Sequence, residues 1–257
     1  MARTYVVTGA NSGIGAAAVA RLTASGAQVI RCDLSDSDVD ADLTTPEGRR
    51  ALVAGVAEAS GGAVDGLLAV AGVAMPLAAA VRLNYFGTVA CLEGLRPLLA
   101  AGDRPGAVVV SSLGGVIAVN DAIVDACLAG DEEAAVAETD TTDPERMMTV
   151  DNSTKRALNL WVRRTAPSAD WAGAGITLNA VAPGVVDTAT ARAAILDNPA
   201  ASEAAQAMMP QPMGFPGPVA AVAAALEWTV SPDNSFMTGQ VLYVDGGADA
   251  VLRGDRY

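Results

Sequence analysis

Six short runs rich in β-branched and aliphatic residues recur along the chain: TYVVT (4–8), QVIRCD (28–33), GLLAVAG (66–72), AVVVSS (107–112), ITLNAVAP (176–183) and QVLYVDGG (240–247). Between successive runs lies enough chain for at least one helix. Strands that alternate with helices join through right-handed crossovers and lie parallel, so this rhythm restricts the chain to a doubly wound α/β sheet. The helices are legible too. Ala16 to Ser25 follows a glycine turn and stops before Gly26, while Thr45-Pro46-Glu47 supplies an N-cap, a proline at the first helical position and an early acid. No linker, repeat or low-complexity tract interrupts the 257 residues, so one domain over 1–257 is expected.

Composition removes several function classes. A net charge of −13 argues against nucleic acid, whose phosphates demand clustered Lys and Arg. The chain has no histidine, which excludes Ser/His/Asp and Cys/His triads and histidine metal sites. Cys32, Cys91 and Cys127 are odd in number and widely spaced, so neither a disulfide framework nor a metal site is expected, and a reducing cytoplasm fits best. MARTYVVTGA runs into a strand with no charged-then-apolar leader, and the apolar stretch 66–81 is broken by Gly72 and Pro76. A cytoplasmic protein without membrane contact is the expectation.

Residues 113–150 form the irregular part, with nine acids (Asp121, Asp125, Asp131, Glu132, Glu133, Glu138, Asp140, Asp143, Glu145) against one base, Arg146. They read as an exposed helical insertion with a solvated acidic face; a lid or a surface that governs subunit packing is the sharper alternative.

TGANSGIG (8–15) lies directly after a strand and before a helix. Gly9, Gly13 and Gly15 let the backbone approach a pyrophosphate, with Asn11, Ser12 and Ile14 completing the loop that leads to the helix N-terminus. Asp33 closes the second strand 18 residues after Gly15, where a carboxylate accepts from ribose hydroxyls and repels a 2′-phosphate, so NAD(H) is favoured over NADP(H). Arg31 is the counter-signal, although it shares a strand face with Asp33 and is expected to pair with it. Asp42, in the stretch Ala41-Asp42-Leu43, is either an adenine contact or an ordinary loop acid.

Taken in order, TGANSGIG, Asp33, LNYFGT (83–88), VVSS (109–112), a helix bearing Lys155, and APGVVDT (182–188) resemble the short-chain dehydrogenase/reductases over the whole length. ADLTTPEGR (41–49), the long insertion after Ser112 and DGGADAVLR (245–253) are similar to the bacterial 3α-hydroxysteroid dehydrogenase/carbonyl reductase branch. The resemblance implies a Rossmann-like fold, a nicotinamide cofactor, and a homo-oligomer, dimer or tetramer, in which the insertion covers a common four-helix contact. It implies that Asn84 holds a water leading to Lys155, that Ser112 bonds the substrate oxygen, and that Lys155 binds the nicotinamide ribose. It further places Leu43, Ala71, Gly72, Pro183, Gly184, Val186 and Thr188 along the cofactor. Val70 stands where many relatives carry asparagine.

The pattern breaks at position 151. Relatives use a tyrosine there as general acid/base, a phenol that starts near pKa 10 and is lowered by the neighbouring ammonium. Tyr5 and Tyr243 fall in strands, Tyr85 is beside Asn84 and Tyr257 is terminal, so none is an obvious substitute. Asp151, in contact with Lys155, is expected to be ionised at neutral pH with no proton to give, which makes ketone reduction weak. Three functional readings stay open: an imine or iminium reductase, whose cationic substrate needs no proton; an impaired alcohol/ketone oxidoreductase relying on Ser112 and Lys155; and a silent cofactor-binding scaffold or regulator. A fourth reading is structural, with Asp151-Asn152-Ser153 capping the helix. Residues 187–215, with Met208, Met209, Met213 and Phe215, are expected to form a mobile apolar wall around the substrate, or else to pack as core helices.

Overall fold

The computed structural model describes residues 2–256. Its sheet has seven parallel strands in the order β3-β2-β1-β4-β5-β6-β7: β1 Thr4–Thr8, β2 Gln28–Asp33, β3 Val39–Asp40, β4 Gly66–Ala69, β5 Gly106–Val110, β6 Thr177–Pro183 and β7 Val241–Val244. Six of these coincide with the runs in the sequence, with shorter ends at β4, β5 and β7. The seventh, β3, is two residues long, too short to carry a periodic signal.

Because side chains alternate across a strand, each strand feeds two cores. Val6, Leu67, Val109 and Ala180 enter one layer, under α2 (Pro46–Ser60), α4 (Thr88–Ala100), α5 (Asp121–Ala129) and α7 (Pro144–Thr165). Val7, Leu68, Val108 and Val181 enter the other, under α1 (Gly13–Ala24) and α10 (Val219–Val230). Strand order reverses between β1 and β4, and in such sheets the crevice beyond the carboxyl ends at this switch point is the natural ligand site. Thr8 closes its floor, its Oγ1 accepting from Val70 N and Ala71 N, each at 3.1 Å.

One expectation needs correcting. The helix of Lys155 starts at Pro144, not near 151: Asp143 is its N-cap, accepting from Glu145 N at 3.0 Å. Asp151 is therefore two turns inside the helix and caps nothing. The insertion does turn an acidic face to solvent, with seven of its nine acids exposed, while its inner side joins the core. Its helices α5 and α6 (Glu132–Ala137) bury Ile123, Val124, Cys127 and Ala135 in the main core, and α5 packs along α7.

Cys32, Cys91 and Cys127 are free and buried, and burial pushes each thiol up to about 12. Among the described residues no helix is long and apolar enough to cross a membrane, and no group of three or more His, Cys, Asp or Glu side chains is placed to hold a metal ion.

Candidate active site

The cradle follows β1. Gly9 and Gly13 adopt φ of +65° and +50°, and a methyl group on Gly15 would lie 2.0 Å from Gly9 O, so the loop closes this tightly only without side chains there. Ser12, the N-cap of α1, makes no side-chain cap, in contrast to Thr45, which caps α2 through Gly48 N at 3.0 Å. The first-turn amides of α1 and its dipole thus face the loop, an arrangement that suits an anion. Ile14 turns inward and packs on the second core. Across the crevice, a methyl on Gly13 would meet Thr188 Cγ2 at 3.4 Å, which brings the loop after β6 to the phosphate side.

Asp33 sits at the mouth of this cradle. Its Oδ2 accepts from Asn11 N at 2.9 Å and its Oδ1 from Leu34 N at 2.8 Å, which fixes the carboxylate and leaves further lone pairs outward. Asn11 Nδ2 donates to Ser35 O at 2.6 Å. Arg31 does not pair with Asp33 as expected; it meets Asp38 at 3.3 Å, which removes it from the ribose-side carboxylate. Asp42 Oδ1 accepts from Thr44 N (2.9 Å) and Thr44 Oγ1 (2.6 Å), a turn-stabilising role, and Leu43 is buried behind it. The residues present therefore fit a dinucleotide, with backbone for the pyrophosphate and a fixed carboxylate for the ribose.

The other half of the site is built from side chains. Asn84 lies on a π-helical turn, Arg82–Gly87, inserted between the short helix α3 (Leu77–Val81) and α4. Its carboxamide is locked: Oδ1 accepts from Val73 N at 2.9 Å, and Nδ2 donates to Val73 O at 2.8 Å and to Asp151 Oδ1 at 2.8 Å. Flipping the amide would break all three. Lys155, one turn along α7 from Asp151, is 8% exposed and donates from Nζ to Val110 O, the end of β5, at 3.1 Å.

The expected contact between Asp151 and Lys155 is absent: among the described residues no ion pair within 4.0 Å joins them, because Asp151 is turned to Asn84. Burial pulls the Lys155 ammonium below its usual range, and the more distant Asp151 charge only partly offsets this.

Ser112 follows β5 and caps a 3₁₀ turn (Leu113–Val116) by accepting from Gly114 N at 3.0 Å. Ala71 and Gly72 back the cluster: a methyl on Gly72 would lie 3.1 Å from Asn84 Oδ1 and 3.5 Å from Lys155 Nζ. Asn84, Asp151, Lys155 and Gly72 are thus assembled at the carboxyl edge of the sheet, with Ser112 two residues beyond Val110.

Past β6, buried Pro183 leads into Gly184, whose N donates to Val244 O at 3.3 Å. Val186 bridges Gly217, and Thr188 caps the short helix α8 (Ala189–Ala191). The residue that holds this loop is one the sequence did not single out. Buried Gln211 accepts from Val185 N at 2.5 Å and donates to Val185 O and Gly214 O, each at 3.2 Å. Its only signal was a lone amide between Pro210 and Pro212.

The wall 187–215 divides. Helix α9 (Pro199–Met208) buries no residue and ends at exposed Met208, so it is not a core helix. Met213, 90% exposed, lies with Gly246 and Gly247 at the rim of a cavity of about 480 Å³ between the β6 loop, β7 and α10, lined also by Val185 and Val186. Phe215 precedes Gly217 on the strap beside it and is half-buried.

A parallel sheet with a glycine cradle at its switch point and a polar cluster against β5 defines a dinucleotide-binding α/β domain. Sequence comparison extends this. Residues 3–124 match the family described as short chain dehydrogenase, and residues 134–249 match the one described as Enoyl-(Acyl carrier protein) reductase. The 3-alpha-hydroxysteroid dehydrogenase/carbonyl reductase of Comamonas testosteroni is 34% identical over 96% of this chain and 97% of its own. The cis-4-hydroxycyclohexanecarboxylate dehydrogenase of Sinomonas cyclohexanicum is 32% identical over 97% of both. The crystal structure of the 3-alpha-hydroxysteroid dehydrogenase from Pseudomonas sp. B-0831, complexed with NADH, superposes with a TM-score of 0.90 at 37% identity, covering 99% of this chain and 100% of that one. The chain belongs to the short-chain dehydrogenase/reductase family of oxidoreductases.

Proposed function

We propose that the protein is an NAD(H)-dependent oxidoreductase of a small or medium apolar substrate, and that Asp151 directs it to imines, taken as cationic iminium ions, in preference to neutral ketones. The observation that carries this reading is the Asn84–Asp151 hydrogen bond of 2.8 Å: where relatives present a proton-donating phenol, this chain presents a fixed hydrogen-bond acceptor. The cofactor, when bound, supplies or takes up a hydride. Asp33 selects its unphosphorylated ribose, supported by the two backbone bonds that aim the carboxylate and by the NADH complex of the Pseudomonas relative.

At the reacting end, a carboxylate stabilises a positively charged carbon–nitrogen double bond electrostatically and needs to give no proton, since reduction of an iminium yields the neutral amine directly. A ketone makes the opposite demand, because its oxygen gains negative charge as the hydride arrives. Ser112 and the Lys155 ammonium would serve it less well than a phenol held at the substrate oxygen. The chain is read as a cytoplasmic homo-oligomer, dimer or tetramer. Docking of α5 along α7 covers that helix from within, which favours contacts elsewhere.

The test compares the parent chain with Asp151→Tyr on a cyclic imine and the matching cyclic ketone, following NADH absorbance. The parent is expected to prefer the imine, and the variant to gain ketone reduction by ~100-fold or more, the scale of one restored general acid. Equal or better ketone turnover by the parent, or an unchanged ratio in the variant, would refute the role given to Asp151. NADH binding without turnover of either substrate at any pH would leave a cofactor-binding scaffold.

A further inference from the structure

The acidic insertion has a use that the reaction does not explain. Glu132, at the start of α6, reaches two arginines on separate elements. Its Oε2 accepts from Arg49 Nη1 at 2.6 Å, and its Oε1 accepts from Arg49 Nη2 at 2.8 Å and from Arg82 Nη1 at 3.0 Å. The cluster is largely enclosed, with side-chain exposures of 18% for Glu132 and 11% for Arg49. Arg82 also meets Glu133 at 2.9 Å on the solvent side.

Arg49 does more than balance charge. From α2 its Nε donates to Leu43 O at 2.8 Å and its Nη2 to Arg82 O at 2.9 Å. One guanidinium thereby ties together the loop 42–44, the first residue of the π turn and the insertion. Gly87, the last residue of that turn, shows how closely the pieces fit: a methyl there would lie 2.7 Å from Leu43 O and 3.3 Å from Arg82 O. Loop and π turn are pressed together at a point where only glycine fits, and the arginine-glutamate cluster closes over them.

The π turn needs such support. An i→i+5 turn is a local excess of one residue, and relaxing it to regular helix would rotate what lies on one side of it by ~100°. Asn84 sits inside the turn and has to meet both Val73 and Asp151. We infer that Glu132, acting through Arg49 and Arg82, is a positioning residue that braces both ends of the site: the loop carrying Asp42 and Leu43 and the π turn carrying Asn84. The cofactor half of this inference rests on the proposed NAD(H) placement; the brace on the π turn does not.

The test uses the full chain with Glu132→Gln, which keeps the shape and removes the charge, beside Glu138→Gln, which breaks the insertion's separate pair with Arg146. Two readouts are taken well below the melting temperature: NADH affinity by nicotinamide fluorescence, and amide hydrogen exchange. Glu132→Gln is expected to weaken NADH about tenfold and to speed exchange at 82–87 and 42–44 at least tenfold, with β5 amides unchanged; Glu138→Gln should move neither. Unchanged exchange at 82–87, or faster exchange spread equally over β5, would overturn the brace. Should the parent bind no NADH, the cofactor assignment fails while exchange still decides the brace. If Glu132→Gln does not fold, Arg82→Lys, which retains the charge but loses the two-pronged contact, must give the same local pattern.

Discussion

The two halves of the crevice hold their positions by opposite means. On the β1–β2 side the working groups are backbone amides and a carboxylate fixed by backbone amides, and the sequence contributes chiefly by omitting side chains at Gly9, Gly13 and Gly15. On the β4–β5–α7 side the working groups are side chains, Asn84, Asp151 and Lys155, held by one another and by main-chain atoms of loops and strand ends. A backbone-built half tolerates almost no change and is shared across chemistries. A half built of side chains can exchange one residue with the fold intact, and Asp151 is where the proposed change of reaction rests.

The sharpest way to break the first half is Gly15→Ala. Its new methyl would fall 2.0 Å from Gly9 O, a backbone atom that cannot swing aside, so the cradle must open. NADH affinity is expected to fall by ~100-fold or more, about 2.8 kcal/mol, in a fluorescence titration. Retention of affinity within about threefold would mean that the pyrophosphate does not use this loop. A smaller effect is expected from Asp33→Ala, which keeps the cradle's glycines and removes only the carboxylate proposed to repel a 2′-phosphate. The ratio of NADH to NADPH affinity should drop about tenfold, or 1.4 kcal/mol, with Arg31 still engaged by Asp38. An unmoved ratio would place cofactor choice elsewhere.

What could be read from the sequence follows the same division. Strands and cradle were legible because alternation and glycine spacing are local. β3 was not, having two residues, nor was the start of α7, although Asp143-Pro144-Glu145 repeats the very cap signature of Thr45-Pro46-Glu47. Asp151 stood out as a departure, but its partner did not: contact with Lys155 is the natural guess for charges four residues apart on a helix, whereas Asn84 approaches from 67 residues away. Gln211, Arg49 and Glu132 act through long-range hydrogen bonds that leave no periodic trace.

The smallest expected effect tests whether the second half, unlike the first, is kept at the expense of stability. Lys155 is buried with one hydrogen bond to Val110 O, and burial depresses its pKa below the ordinary 10.5 despite the opposing charge of Asp151. A base with a lowered folded-state pKa destabilises most where it is charged in both states, that is, below the folded value. As pH rises from there towards 10.5, the unfolded chain binds more protons than the folded one, so folding stability increases with pH across this window. Lys155→Met removes the buried charge and keeps most of the volume. Thermal melts at neutral pH should therefore show the variant more stable by about 1 kcal/mol, a few degrees, as expected where a functional group strains its surroundings. The advantage should narrow as pH approaches 10, because the parent catches up while the variant has nothing at this position to titrate. Loss of the Val110 bond and of the cation near Asp151 works against the gain, but neither loss reproduces the narrowing. A variant less stable than the parent by a constant margin from pH 7 to 10 would show that Lys155 is well solvated or firmly paired, and that both halves of the crevice are equally at ease in the fold.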